Sequence, residues 1–465
     1  MRKIVVLVLI ELFLMSQNAA LAAPGVISGL TVSLDSRGGT TISGTTWAGQ
    51  DGTTKNATLQ TSSQYDSVNQ YITMNDATSP NYASLGFGTL GDAINPQGDM
   101  TVEVWVKFNT VHTSNWNIFA TKWFAGPATN TGCGTSVFHF GLLYGKPNIY
   151  ISGAGGQNIS GTTTIANGTW HQIAFTLVNP DNRNGTGAGG IGTLRLYLDG
   201  AQQAVATGST VYQTANTGCE LILGDGRSSG LLGIDGGLEK FRMYNRALTA
   251  DEINKNYRAD ANIHSLPAAP FNTVLPSISG PAVYAATETG TTGTWLNTTS
   301  SWSYQWHRAS AVGGTYSPIS GATSATYLTT AADVGNYLKI VVGATNAYGT
   351  IYETSTASTV ISKASTTMSF TISNQIPIYR TTNNLTAATS GIAGSVTFKA
   401  DGKVIPGCRN IPSNSGNSYS AQCPWKPSIH KSFVLAAVFT PTDNNYLGNS
   451  KDLSTAFVAA RSSRR

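Results

Sequence analysis

Side chains able to carry out chemistry are present in this chain but are not grouped. The six histidines, His112, His139, His171, His264, His307 and His430, show no H-E-x-x-H or other paired spacing that would aim two imidazoles at one metal ion. His139 sits inside Val137-Phe-His-Phe140 and reads as a strand residue rather than a ligand. Gly187-x-Gly189-x-x-Gly192 has the letters of a dinucleotide loop. Such a loop works by holding pyrophosphate at a helix N-terminus, whereas here the strand-like Leu194-Arg-Leu-Tyr-Leu-Asp199 follows. Gly226-x-Ser228-x-Gly230 spells a nucleophile elbow, which exposes its hydroxyl on a sharp strand-to-helix turn. Here the stretch opens into another strand, so both strings read as Gly-rich turns. Asp235 and Glu239 are four residues apart, about 13 Å along an extended strand. Retaining cleavage of a glycosidic bond takes carboxylates about 5 Å apart.

Tryptophan and cysteine are the other resources. An exposed indole offers an apolar face to sugar C–H groups and an N–H donor. Trp105, Trp170 and Trp306 stand beside alternating apolar residues and read as core or sheet-face residues. Trp116 and Trp123 flank Asn117-Ile-Phe-Ala-Thr-Lys122, with Trp123 at a strand end before Gly126-Pro127, and these two are the candidate ligand-binding residues. Cys133, Cys219, Cys408 and Cys423 are an even set, which in an oxidising compartment implies two disulfides, with three pairings open. The domain boundaries below favour Cys133 with Cys219 and Cys408 with Cys423. A zinc site would need C-x-x-C or histidine partners, and neither is there.

The elements that must position these residues are strands. In Thr101-Val-Glu-Val-Trp-Val-Lys-Phe108 the residues Val102, Val104, Val106 and Phe108 share one face, the mark of a half-buried strand. Leu194, Leu196 and Leu198 repeat the pattern, and Asp199-Gly200 is a hairpin-turn signal. One helix interrupts this grammar. Thr249 and Glu252 form a capping box with Leu248 and Ile253 as a hydrophobic staple, which predicts a helix from Ala250 to about Tyr257. The Pro-bearing residues 261–275 read as a linker. Two stretches of about 90 residues follow, 276–361 and 366–458, each with the short strands and turn signals of a small sandwich.

Composition agrees. The 465 residues suggest about three domains. Charged residues are 11%, against roughly 25% in an ordinary soluble domain, and there are 50 glycines, which excludes a long helical or coiled-coil protein. Arg2 and Lys3 precede an apolar run from Ile4 to Met15, and Ala20-Leu21-Ala22 offers a cleavage site, so residues 1–22 read as a secretory signal peptide. The run is too short for a bilayer span, which takes about 20 residues, and membrane insertion is not expected. The formal charge of +5 becomes +4 once residues 1–22 are removed, and the basic tail 459–465 supplies three of those charges through Arg461, Arg464 and Arg465. The folded body is thus nearly neutral in total, without the clustered cations of a nucleic-acid partner.

Several segments resemble a known family. Trp47-Ala-Gly, Tyr65-Asp66, Thr101-Val-Glu-Val-Trp105, Gly168-Thr-Trp170-His-Gln-Ile-Ala174, Leu196-Tyr-Leu-Asp-Gly200 and Phe241-Arg-Met-Tyr-Asn-Arg-Ala-Leu248 are together similar to a LamG-like jelly-roll of the concanavalin A-like lectin/glucanase superfamily, over residues 24–260. Residues 276–361 resemble a bacterial Ig-like domain through Trp306 and the Asp333-x-Gly335-x-Tyr337 string, and residues 366–458 resemble another through Val396-Thr-Phe398, Asp401-Gly-Lys403 and Cys423-Pro-Trp425. The first resemblance implies a glucanase rival, whose strand shows E-x-D-x-x-E. No such string occurs, and Glu103 has no acidic residue two or five positions on. It also implies a rim position for structural calcium, for which Asn179-Pro-Asp181-Asn182-Arg-Asn184-Gly185 and the turn at Asp225 are oxygen-rich.

The expectation is therefore an all-β chain, an antiparallel jelly-roll sandwich followed by two small Ig-like β-sandwiches. It is expected to be secreted or on the cell surface of a bacterium, with no catalytic residue, no enzymatic activity and no cofactor beyond that calcium. The jelly-roll is expected to bind a glycan or an extracellular protein while the Ig-like domains act as spacers. A structural matrix component and a polysaccharide hydrolase are the rivals.

Overall fold

The computed structural model describes residues 25–37, 41–75, 81–87, 93–94, 98–122, 138–151, 157–178, 191–209, 219–225, 231–297 and 299–455. The expected signal peptide and basic tail lie outside them. The chain divides into two compact units, Met1–Phe271 and Asn272–Arg465. No helix among the described residues is long and apolar enough to cross a membrane.

The first unit is two facing sheets. The eight-stranded sheet runs Ala201–Ser209, Ile191–Leu198, Trp170–Val178, Met100–Thr110, Asp235–Tyr244, Tyr71–Met74 and Tyr65–Asp66, with Leu30–Asp35 also paired to Asp235–Tyr244. The ten-stranded sheet runs Gln157–Ser160, Lys146–Ile151, Phe138–Leu143, Trp116–Lys122, Leu221–Leu223, Ala83–Gly86, Ala57–Leu59, Thr46–Trp47 and Ile42–Ser43, with Leu231–Leu232 joining Trp116–Lys122 in parallel. Strands distant in sequence are neighbours in both, as a jelly-roll requires.

Alternation builds the core. Val102, Val104, Val106 and Phe108 lie with Phe175, Leu177, Leu194 and Leu196 on the inner face of the first sheet. Phe119, Phe138, Phe140, Leu142 and Ile149 answer them from the second. Phe175 meets Phe140 at 5.0 Å and Phe138 at 5.7 Å, both edge-on. Each such fully buried side chain contributes about 1.5–3 kcal/mol.

Met100–Thr110 differs from the half-buried strand that its pattern predicts. Glu103 and Trp105, which point away from that core, are buried as well. The helix Ala250–Ala261 covers them. Its capping box forms as expected, with Glu252 N donating to Thr249 Oγ1 at 3.2 Å and Thr249 N donating to Glu252 Oε2 at 2.9 Å. The helix continues past Tyr257 because its last turn is needed. Tyr257 stacks on Trp105 at 5.8 Å, and Asp260 is fully buried against the sheet. The following residues, expected as free linker, also pack down. His264 lies between Trp105 and Trp170 at 4.9 and 4.8 Å, and Leu266 and Ala268 join Tyr257 and Ala261 in a second apolar cluster.

A buried ion network ties helix to sheet. Arg242 Nη1 donates to Glu103 Oε1 at 2.8 Å and to Asp260 Oδ2 at 2.9 Å. Lys240 Nζ reaches Asp260 Oδ1 at 2.6 Å and Asp35 Oδ2 at 2.9 Å. Asn256 Nδ2 donates to Glu103 Oε2 at 2.8 Å, and Arg37 Nε donates to Glu239 Oε2 at 2.7 Å. Burial pushes the Asp260 carboxyl up, but Lys240 and Arg242 together outweigh it and hold the group below its usual range. Burial wins at Asp35, which has Lys240 beside it and feels Glu239 as a like charge, and its carboxyl is raised.

The second unit contains two further β-sandwiches. In the first, Ile278–Ser279, Thr287–Gly290 and Thr326–Leu328 form one sheet, and Ser317–Pro318, Ser301–Ala309, Tyr337–Asn346 and Gly349–Thr354 form the other. Trp306 is fully buried between them with Leu338, Ile340 and Val342, and its Nε1 donates to Ser324 O at 2.8 Å. Asp333 is buried and accepts from Arg308 at 2.9 Å and from Tyr327 Oη at 2.8 Å. In the second sandwich, Met368–Ile372, Asn383–Thr389 and Ser420–Trp425 face a sheet of Lys403–Val404, Gly394–Ala400, Val434–Pro441 and Asn449–Ser454, with Ile411–Ser413 also on Gly394–Ala400. Cys408 and Cys423 are joined, as expected, with Cα atoms 5.5 Å apart. Cys219 is disulfide-bonded too, and Cys133, the partner expected for it, lies outside the described residues.

Removing one member of the network leaves opposite charges buried without compensation, which costs about 3–5 kcal/mol. Asp260→Ala, which strands Lys240 and Arg242, is expected to lower the stability of the full chain by that amount in urea denaturation followed by tryptophan fluorescence. A loss below about 1 kcal/mol would mean that the network holds the helix no better than a surface pair does.

Candidate binding face

With one outer face of the jelly-roll covered by the helix, the outer face of the ten-stranded sheet is where side chains of the expected type gather. Register places them. His139 is cross-strand from Thr121 on one side and Tyr150 on the other, and Tyr150 is opposite Asn158. The next row toward Trp116 is Ile118, Gly141, Asn148 and Ser160, and the one after holds Trp116, Leu143 and Lys146. Because Phe138, Phe140, Ile149 and Ile151 turn inward, the residues between them turn outward.

The rings form a stripe. Trp116 is half-buried and its ring lies 6.0 Å from His139, which stacks at 6.3 Å on the half-buried Tyr150. Gly141 permits this. A Cβ there would meet the Asn117 carbonyl at 2.2 Å, so only glycine fits the bulge between Phe140 and Gly141, and the row between Trp116 and His139 stays low. Beside the rings lie amides and hydroxyls. Asn148 Nδ2 donates to Asn158 Oδ1 at 2.9 Å and to Ser160 Oγ at 2.6 Å, and Asn158 and Ser160 are exposed. Thr121 Oγ1 lies 2.9 Å from His139 Nδ1. Burial alone holds the His139 imidazole down at about 4, so at neutral pH the ring is uncharged and packs as a buried link between Trp116 and Tyr150.

Of the two tryptophans singled out by the sequence, Trp116 takes part in this face and Trp123 lies outside the described residues. Tyr150, Asn148, Asn158 and Ser160 were not singled out. The alternation in Lys146-Pro-Asn-Ile-Tyr-Ile151 was their one signal, and it gives the face of a residue without its neighbours. The Asn179–Gly185 loop considered for calcium, the glycines Gly187 and Gly189, and the Gly226–Gly230 string are also outside the described residues. The strands expected after the two glycine strings, Ile191–Leu198 and Leu231–Leu232, are present.

Residues 66–254 match the model of the concanavalin A-like lectin/glucanases superfamily, so the jelly-roll expected from the sequence is supported over that span. No curated protein matches the chain significantly in sequence. Among solved structures, the chain is similar to domain 4 of a GH43 extracellular arabinanase from Geobacillus stearothermophilus in complex with arabinotriose, at 17% identity and a TM-score of 0.32, covering 50% of this chain and 98% of that one. It is also similar to the binding domain of Paraclostridial Mosquitocidal Protein 1, at 10% identity and a TM-score of 0.35, covering 89% and 87%. A third is Trypanosoma rangeli sialidase in complex with sialic acid, at 13% identity and a TM-score of 0.35, covering 52% and 36%.

One expectation is corrected here. The chain was expected to have no enzymatic activity, but the structures similar to it include those of glycoside hydrolases, and that expectation is withdrawn. Spacing along the chain, from which that expectation was drawn, does not show which carboxylates meet in space. Asp35, Glu103, Glu239 and Asp260 come from four separate segments, yet Arg242 and Lys240 bridge three of them directly.

The depressed imidazole makes acid stability a test of this face. The unfolded chain takes up the His139 proton near 6.5 and the folded chain near about 4, so stability is complete above pH 6.5 and is lost as the pH falls toward 4. That difference is worth about 3 kcal/mol. His139→Phe is expected to flatten the pH profile of urea unfolding, the variant gaining about 2–3 kcal/mol on the parent chain between pH 7.5 and 4.5. Parallel profiles would show that acid acts elsewhere.

Proposed function

We propose that this chain is a secreted bacterial binding protein whose jelly-roll recognises a glycan on the outer face of its ten-stranded sheet, with residues 276–361 and 366–458 as Ig-like domains that hold it away from its point of attachment. The observation that carries this reading is the half-buried Trp116 and Tyr150, joined through the buried His139, beside the exposed Asn158 and Ser160, which the buried Asn148 holds in place. Sugars present C–H faces edged by hydroxyls. Aromatic rings match the first, and amide and hydroxyl groups match the second. The low content of charged residues, 11%, favours hydrogen bonding of this kind over ionic capture.

Secretion is supported by the leader-like residues 1–22 and by the disulfide between Cys408 and Cys423, a bond that persists in oxidising compartments. The two sandwiches of the second unit suit a spacer because their junction is stitched. Ala364 N donates to Asn445 O at 2.9 Å, Leu447 N donates to Ala364 O at 2.8 Å, and Tyr284 meets Tyr446 edge-on at 5.2 Å.

A panel of neutral oligosaccharides and matrix proteins tests the reading. Saturable retention of the full chain on a glycan is expected, weakened about tenfold or more by Trp116→Ala and by Tyr150→Ala, each checked for an unchanged fold by circular dichroism. Retention on matrix proteins alone, or glycan binding indifferent to both substitutions, would remove the ligand from this face.

A further inference from the structure

The last sandwich has more to it than a spacer needs. Its charge stands apart from the rest of the chain. Residues 366–458 hold seven Lys and Arg against three Asp, a net +4, whereas residues 23–365 hold 16 against 19, a net −3. The near-neutral total is two opposite regions.

That excess meets a cavity. A pocket of about 680 Å³, within the range of small-ligand sites, opens where the 400–406 turn meets the end of the Ser420–Trp425 strand. Its floor is apolar, with Trp425, Phe433 and Ile405 buried beneath it and the Trp425 and Phe433 rings edge-on at 5.1 Å. Its rim carries Lys403, Lys426, Thr382 and Ser428, all exposed, and no carboxylate. The acid of the adjoining turn is already taken. Asp401 pairs with Lys431 at 2.5 Å and accepts from Val434 N at 3.0 Å. Among the described residues, neither Lys403 nor Lys426 makes an ion pair.

The turn that aims Lys403 is built for its place. Asp401 and Gly402 have φ of 48° and 79°, the left-handed pair of a two-residue hairpin between Gly394–Ala400 and Lys403–Val404. Lys399 and Ala400 pair with Val404 and Lys403, which fixes the first lysine at the pocket's edge, while Lys426 follows directly on the strand that carries Trp425.

We infer that this pocket binds an acidic saccharide, a carboxylate-bearing sugar unit whose ring lies on the apolar floor while Lys403 and Lys426 hold its charge and Thr382 and Ser428 meet its hydroxyls. A neutral sugar leaves two ammonium groups unmatched, and a bare inorganic anion leaves the floor uncovered. Both parts of the lining are satisfied only by a ligand that is anionic and has an apolar face. This inference goes beyond the glycan reading of the jelly-roll and does not depend on it.

The test is titration calorimetry of the full mature chain with trigalacturonate, with maltotriose as the neutral trisaccharide. Trigalacturonate is expected to bind and to weaken by about tenfold in Lys403→Gln with Lys426→Gln, a change that loses two charge-assisted contacts, while Lys403→Arg with Lys426→Arg retains binding. Both lysines are exposed, so an unchanged melting temperature is expected to accompany the loss. Trp116→Ala is expected to leave trigalacturonate binding as it was. No trigalacturonate binding, or binding that the double glutamine variant leaves within about twofold, overturns the inference. Loss of trigalacturonate binding in Trp116→Ala alone also overturns it, while leaving the jelly-roll reading in place.

Discussion

Arg242 is the residue on which the jelly-roll's second layer depends. Its guanidinium sits between Glu103 of a neighbouring strand and Asp260 of the helix, with no route to water. Burying one such pair is rarely favourable, since desolvation of two ions offsets most of their attraction. Here the cost is spread. Lys240 shares Asp260, Asn256 satisfies the second oxygen of Glu103, and Asp35 and Glu239 complete the set with Arg37. Arg242, Lys240, Asp260 and Glu103 each have more than one partner, and the helix has one place to dock.

That docking decides which outer face is covered, that of the eight-stranded sheet. A sheet of alternating strands has two faces, and the core uses one. Ala250–Ala261 and the His264 turn use the other face of the eight-stranded sheet, where Trp105 stacks with Tyr257 and His264. The ten-stranded sheet keeps rings and amides on its outer side instead. The asymmetry of the sandwich therefore follows from a few charges at one end of a short helix.

The second unit shows a similar economy. Its sandwiches are small, and a single tryptophan or a disulfide anchors each core, Trp306 in one and Cys408 with Cys423 in the other. Small cores leave much surface. On the last sandwich that surface is positive and indented, and the acid that might have neutralised it is held by Lys431.

Local patterns were legible in the sequence because they rest on near neighbours. Val102, Val104 and Val106 share a face because a strand's period is two, and the capping box formed because Thr249 and Glu252 are three residues apart whatever surrounds them. The pairing of Cys408 with Cys423 was readable because both fall within one domain-sized stretch, 366–458. What tertiary structure alone decided is which residues from distant segments meet. Nothing local told that Asp260, beyond the expected helix end, belongs on Arg242, that the supposed linker places His264 between two tryptophans, or that Tyr150 and Asn158 complete the row that His139 begins. A sequence records spacing along the chain, and side chains brought together from 139 residues apart, as Arg242 and Glu103 are, leave no spacing to read.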